Sequence, residues 1–137
     1  MIICPIRGQD KWGSGAYMAS RGGRKHNGID LACYKGSTIL ADQDGVVTKV
    51  GYPYPPEHAK KGHFRYVEVR SDTGIRIRYF YVAPSVSVGQ RVMSGDPIGK
   101  TQGLISVYPG ITDHYHFEVK DSKDNFINPQ EYLEAIS

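Results

Sequence analysis

A chain of 137 residues and 15.2 kDa has the size of one domain, and about two-thirds of its unfolded surface can be buried without disulfide scaffolding. Its 17 basic and 14 acidic residues leave a net charge of +3 with no run of like charges, which suits a polyanionic partner and argues against a nucleic-acid arm. No apolar run approaches a membrane span, and residues 1–6 are too short and lack the basic start of a secretory signal, so neither membrane insertion nor a leader is expected.

Sixteen glycines and eight prolines call for many turns, and ten tyrosines favour sheet, so the expected class is all-β and antiparallel. Up to residue 25 the chain is glycine-rich and irregular. Cys4 and Cys33 read as two small buried thiols, with a disulfide as the alternative that the sequence does not decide. Residues 37–41 and 45–52 read as strands around a turn, and residues 53–62 as a loop with three prolines and two lysines. Residues 64–71 and 75–82 form the clearest hairpin, closed by Ser71-Asp72-Thr73-Gly74. Along its second strand Ile75, Ile77, Tyr79 and Tyr81 share one face, and Arg76, Arg78, Phe80 and Val82 the other. Residues 88–99 are rich in turns. Residues 114–121 alternate again, with Tyr115, Phe117 and Val119 inward and His114, His116, Glu118 and Lys120 outward. One short helix ends the chain, with Asn128 as cap, Pro129 at the first helical position and Glu131 three residues after the cap.

Two groups carry possible chemistry. His26 and Asp30 form an H-x-x-x-D, and His114 and His116 form an H-x-H on a predicted strand. Alternation projects both imidazoles of the H-x-H from one face while Tyr115 and Phe117 anchor the strand behind them. Two imidazoles and a carboxylate leave one position open on a tetrahedral metal, the ligand count of catalytic zinc. Each half is weak alone, and from local chemistry a metal site stands only somewhat ahead of solvated histidines. His58 and His63 read as loop surface.

Taken in order, the motifs resemble those of the lysostaphin-type zinc metallopeptidases, which cut peptide cross-links in bacterial walls. His26-Asn27-Gly28-Ile29-Asp30 resembles the family's H-x-G-x-D. Residues 36–41 and 44–47 resemble its next two strands, residues 89–99 its glycine-cornered stretch, and His114-Tyr115-His116-Phe117-Glu118 its H-L-H-F-E. Asn128-Pro129 through Leu133 resembles its closing motif. The resemblance spans about residues 12–133 and implies an antiparallel fold with one zinc in a groove whose walls include the glycine-rich start. It implies His26, Asp30 and His116 as zinc ligands and His114 as the catalytic histidine beside them.

The sequence departs from the family at Tyr81, which stands where a second catalytic histidine is usual. A phenol there can donate a hydrogen bond to a developing oxyanion but is a poor proton acceptor. Asp113 replaces a common proline and is expected either to raise a neighbouring imidazole's basicity or to face water. His63 is a possible substitute base.

The expected function is therefore zinc-dependent hydrolysis of peptidoglycan peptides by a single domain over residues 1–137, a monomer working at the cell wall as a bacteriophage lysin, a virion-associated enzyme or an excised domain of an exported protein would. The alternative is an inactive relative serving in wall binding or assembly. A nucleic-acid partner is not expected; only Arg21, Arg24, Lys25, Lys60, Lys61 and Arg65 suggest one.

Overall fold

The computed structural model describes residues 5–10, 12–21 and 24–136. Cys4, Gly22 and Gly23 lie outside the described residues, as does the Arg24 side chain. Twelve strands and a helix follow in order among the described residues: β1 (Ser20–Arg21), β2 (Arg24–Lys25), β3 (Ile29–Ala32), β4 (Thr38–Leu40), β5 (Gly45–Gly51), β6 (Tyr66–Ser71), β7 (Arg76–Phe80), β8 (Val82–Pro84), β9 (Arg91–Val92), β10 (Pro97–Thr101), β11 (His114–Lys120), β12 (Phe126–Ile127) and α1 (Pro129–Ile136). All pairings are antiparallel. The main sheet runs β12-β11-β7-β6-β5-β9, with β3 beside the first half of β11. A smaller sheet runs β4-β10-β8, and β1 and β2 pair alone.

Alternation explains the core. On β11, Tyr115, Phe117 and Val119 point inward, and they meet Ile29 and Leu31 of β3, Ile77 and Tyr79 of β7, and Val67 and Val69 of β6. The small sheet adds Ile39, Val82 and Ile98 to the same cluster, and α1 adds Leu133. The helix starts as its sequence requires: the Asn128 side chain accepts from the Gln130 amide at 3.0 Å.

The predicted strand over residues 75–82 is interrupted. Tyr81 has φ 66°, in the left-handed region, so β7 ends at Phe80 and the chain restarts as β8 in the other sheet. A straight strand would leave Val82 on the polar face with Arg78. The kink buries Val82 completely and turns Tyr81 away from the Tyr79 side toward the open face. The left-handed residue costs about 1–2 kcal/mol, and burying a valine returns about as much.

Of the two states the sequence leaves open for Cys33, the structure has the disulfide rather than the buried thiol.

Candidate metal centre and its cleft

Register assembles the centre. β11 pairs with β3 so that His116 faces Asp30, and with β7 so that His116 faces Phe80. Directly opposed residues share a face, so Asp30, His116 and Phe80 form a row on the outer side of the sheet. His26 arrives from the loop before β3. Gly28 lets that loop cross β11: a Cβ there would stand 2.3 Å from the Phe117 carbonyl oxygen and 3.0 Å from Cε1 of His116. The glycine of the H-N-G-I-D segment is thus a packing requirement.

Three donor atoms converge. His26 Nε2 lies 3.0 Å from His116 Nδ1, His116 Nδ1 lies 2.9 Å from Asp30 Oδ1, and His26 Nε2 lies 3.2 Å from Asp30 Oδ1. These spacings suit one small ion with bonds of about 2 Å, and the group of His26, Asp30 and His116 could hold a metal. Each of the three side chains is fixed from behind. His26 Nδ1 donates to the Ala16 carbonyl at 3.0 Å, His116 Nε2 donates to Glu118 Oε1 at 2.8 Å, and Asp30 Oδ2 accepts from Arg7 Nε and Nη2 at 3.1 and 3.0 Å. Such outer bonds set which ring nitrogen is free and which carboxylate oxygen faces inward. The residues present therefore fit a metal.

Electrostatics follow from these contacts. Burial alone would raise the Asp30 carboxyl, but hydrogen bonds from His116 and His26 hold it far below the usual carboxylate range. Burial disfavours a charged His116, yet Asp30 and Glu118 raise it to about 9. In His114 burial wins over the Asp30 charge and lowers the ring's pKa. Its Nδ1 donates to the Thr112 carbonyl at 2.7 Å, which leaves Nε2 with a lone pair 3.5 Å from Asp30 Oδ2.

The centre opens into a cleft of about 440 Å³. His26, Asp30, His114, His116 and Tyr81 all line it, so every residue singled out for the site meets there. The glycine-rich start supplies a wall, as expected, through Arg7, Trp12 and Lys25. Tyr81 presents its ring edge-on to His114 at 6.0 Å between centres, and its hydroxyl lies 3.3 Å from that of Tyr54. Its hydroxyl titrates well above the ordinary range because it is buried.

The Asp113 carboxylate touches no imidazole; it is half-buried, and its Oδ1 accepts from the amides of Leu104 and Ile105 at 2.8 and 3.2 Å and so fixes the turn before β11. His63 lies on the surface, as its loop suggests, against the Phe64 ring, and does not line the cleft as a substitute base would. Sequence reasoning missed Arg7, Tyr54 and Tyr108, and it missed the bond from His116 to Glu118. Only Glu118 carried a signal, as the second residue after His116 on one strand face.

Residues 24–129 match the sequence profile of peptidase family M23. The chain belongs to that family. Mouse leukocyte cell-derived chemotaxin-2 is 34% identical over 128 residues, covering 93% of this M23 chain and 79% of the relative. A Haemophilus influenzae protein described as an uncharacterized metalloprotease is 31% identical over 97 residues, covering 70% of this chain and 19% of that one. The lysostaphin catalytic domain from Staphylococcus simulans superposes with a TM-score of 0.66 at 21% identity, covering 91% of each chain, and so shares the fold. The mostly antiparallel architecture with one short helix is thus the lysostaphin type, and membership of M23 supports a peptidase in general.

Proposed function

We propose that this chain is a zinc-dependent endopeptidase that hydrolyses peptide bonds in peptidoglycan stem peptides or cross-bridges, acting as a monomeric single domain over residues 1–137 at the cell wall. The observation that carries the reading is the convergence of His26 Nε2, Asp30 Oδ1 and His116 Nδ1 on one point beside the lone pair of His114. His26, Asp30 and His116 would hold the ion, and zinc there would supply Lewis acidity to a peptide carbonyl and make water more acidic.

The remaining work belongs to the protein. His114 Nε2, neutral and facing the cleft, takes a proton from the attacking water and passes it to the leaving amine. Tyr81 donates a hydrogen bond from its hydroxyl to the carbonyl oxygen as negative charge grows there, a task that needs no ionisation of the phenol. Phe80 and Tyr108 shape an apolar wall along which an extended peptide can lie.

The test is digestion of purified peptidoglycan with and without a chelator. The reading expects new free amines and no new reducing sugars, and loss of the amines with the chelator. Reducing ends without amines would reject it, because the paired carboxylates of a glycosidase are the alternative route to wall cleavage.

A second reading is favoured by Tyr81 itself. A buried phenol that titrates far above neutrality cannot replace a histidine as proton acceptor. On this reading the domain keeps its metal and serves in binding or assembly, and the mouse relative is indeed named a chemotaxin. An inert wild type on every wall tested, with cleavage gained by Tyr81→His, decides for it.

A further inference from the structure

Tyr81 does not reach the cleft alone. Its hydroxyl lies 3.3 Å from that of Tyr54, which lies 3.3 Å from that of Tyr108. The three come from separate segments: the loop after β5, the joint between β7 and β8, and the loop before β11. Fully buried Phe64 backs them, with ring centres 5.0 Å from Tyr81 and 6.2 Å from Tyr54. At the outer end the Lys61 ammonium stands 5.1 Å from the Tyr54 ring centre and 5.2 Å from that of Tyr108.

Three phenols carry three protons, and their two mutual bonds consume two. One proton remains for an acceptor outside the group. It lies at the cleft in one arrangement: Tyr108 donates to Tyr54, and Tyr54 donates to Tyr81. A carbonyl oxygen gaining negative charge beside Tyr81 selects that arrangement, since hydrogen bonds in a chain strengthen one another. Lys61 helps, because a cation over a ring draws electron density from it and makes the hydroxyls of Tyr54 and Tyr108 better donors.

We propose that Tyr54 is a positioning residue that hands Tyr81 a hydrogen bond as Tyr81 donates to the substrate carbonyl, with Tyr108 and Lys61 behind it. This rests on the peptidase reading and on Tyr81 being the donor. Tyr54→Phe keeps the ring and removes the link.

Two measurements test it. In kinetics on purified peptidoglycan, Tyr54→Phe should lower kcat about fivefold with KM and zinc content unchanged, the effect of one neutral hydrogen bond. The double variant Tyr54→Phe with Tyr81→Phe should be no slower than Tyr81→Phe alone, because Tyr54 acts only through Tyr81. A wild-type rate for Tyr54→Phe, or additive losses in the double variant, overturns the proposal. In NMR of metal-free protein carrying carbon-13 at tyrosine Cζ, Tyr108→Phe and Lys61→Met should each shift the Tyr81 resonance, and neither should do so once Tyr54 is Phe. A Tyr81 resonance indifferent to both overturns the proposal even if the wild type is active. An inert wild type with the resonance coupling intact instead sinks the peptidase reading and the positioning role that rests on it.

Discussion

Replacing Gly28 by alanine perturbs the centre without touching a ligand. The new Cβ would stand 2.3 Å from the Phe117 carbonyl oxygen, against an ordinary contact of 3.4 Å or more, so the loop and β11 must separate by roughly 1 Å. Neither partner yields easily, because the oxygen is backbone in the most heavily paired strand of the sheet. Overpacking of this kind costs about 1–3 kcal/mol. For a domain of this size that lowers Tm by about 4–12 °C. The same separation acts on the 3.0 Å spacing between His26 Nε2 and His116 Nδ1, since His26 sits on the moving loop and His116 on the fixed strand. Zinc affinity should therefore fall at least about tenfold. Thermal unfolding and competitive zinc titration measure the two effects. Gly8→Ala is the control, since a Cβ there meets nothing within 4 Å, and it should change neither. If Gly28→Ala melts and binds zinc like the wild type, the account of how the loop crosses β11 is wrong.

The other predictions concern the ligands, the donor and an ion pair. Elemental analysis should find about one zinc per chain, and His116→Ala should lose it with little loss of stability; full retention sinks the ligand assignment. Asp30→Ala should also lose it but cost about 3 kcal/mol in urea unfolding, because Arg7, only 2% exposed, is left without its main carboxylate. Tyr81→Phe should lower kcat by about 10²-fold at constant zinc content, and His114→Ala should do at least as much harm; a Tyr81→Phe variant at the wild-type rate removes Tyr81 from catalysis. Burial would raise the Glu68 carboxyl, but its bonds from Arg78 and Thr48 hold it below the ordinary value of 4.5. Its contribution to stability is therefore complete above pH 4.5 and is lost as pH falls through the lowered value. Wild-type Tm should drop on acidification below pH 4.5 more steeply than that of Glu68→Gln, and parallel curves contradict this.

The alternating stretch from His114 to Lys120 was legible because its period of two is written in residue type, and with it came the inward and outward faces that build the centre. His26, Asp30 and His116 stood out as candidate ligands only through the resemblance of the ordered motifs, since His116 lies 86 residues from Asp30 and neither motif suffices alone. What stayed hidden depends on partners distant in sequence or on backbone angles. Nothing near Arg7 announces Asp30, 23 residues away. A tyrosine at φ 66° has no signature in a stretch that otherwise reads as strand, so the face of Tyr81 could not be read from alternation. Tyr54 and Tyr108 come together 54 residues apart only because the loops after β5 and before β11 close over the same cleft. Asp113 looked like a neighbour of the histidines, yet its carboxylate turns back to the amides of its own loop.

The disulfide at Cys33 bears directly on the candidate centre. Cys33 follows directly on β3, one residue beyond Ala32, the partner of His114 in the ladder that carries Asp30. A covalent tie there restrains the strand that presents Asp30, and such ties persist outside the cell and are reduced in a cytosol held by thiol buffers. Protein prepared with strong reductant should thus relax first at β3, loosening the site before the aromatic core of β7 and β11 gives way.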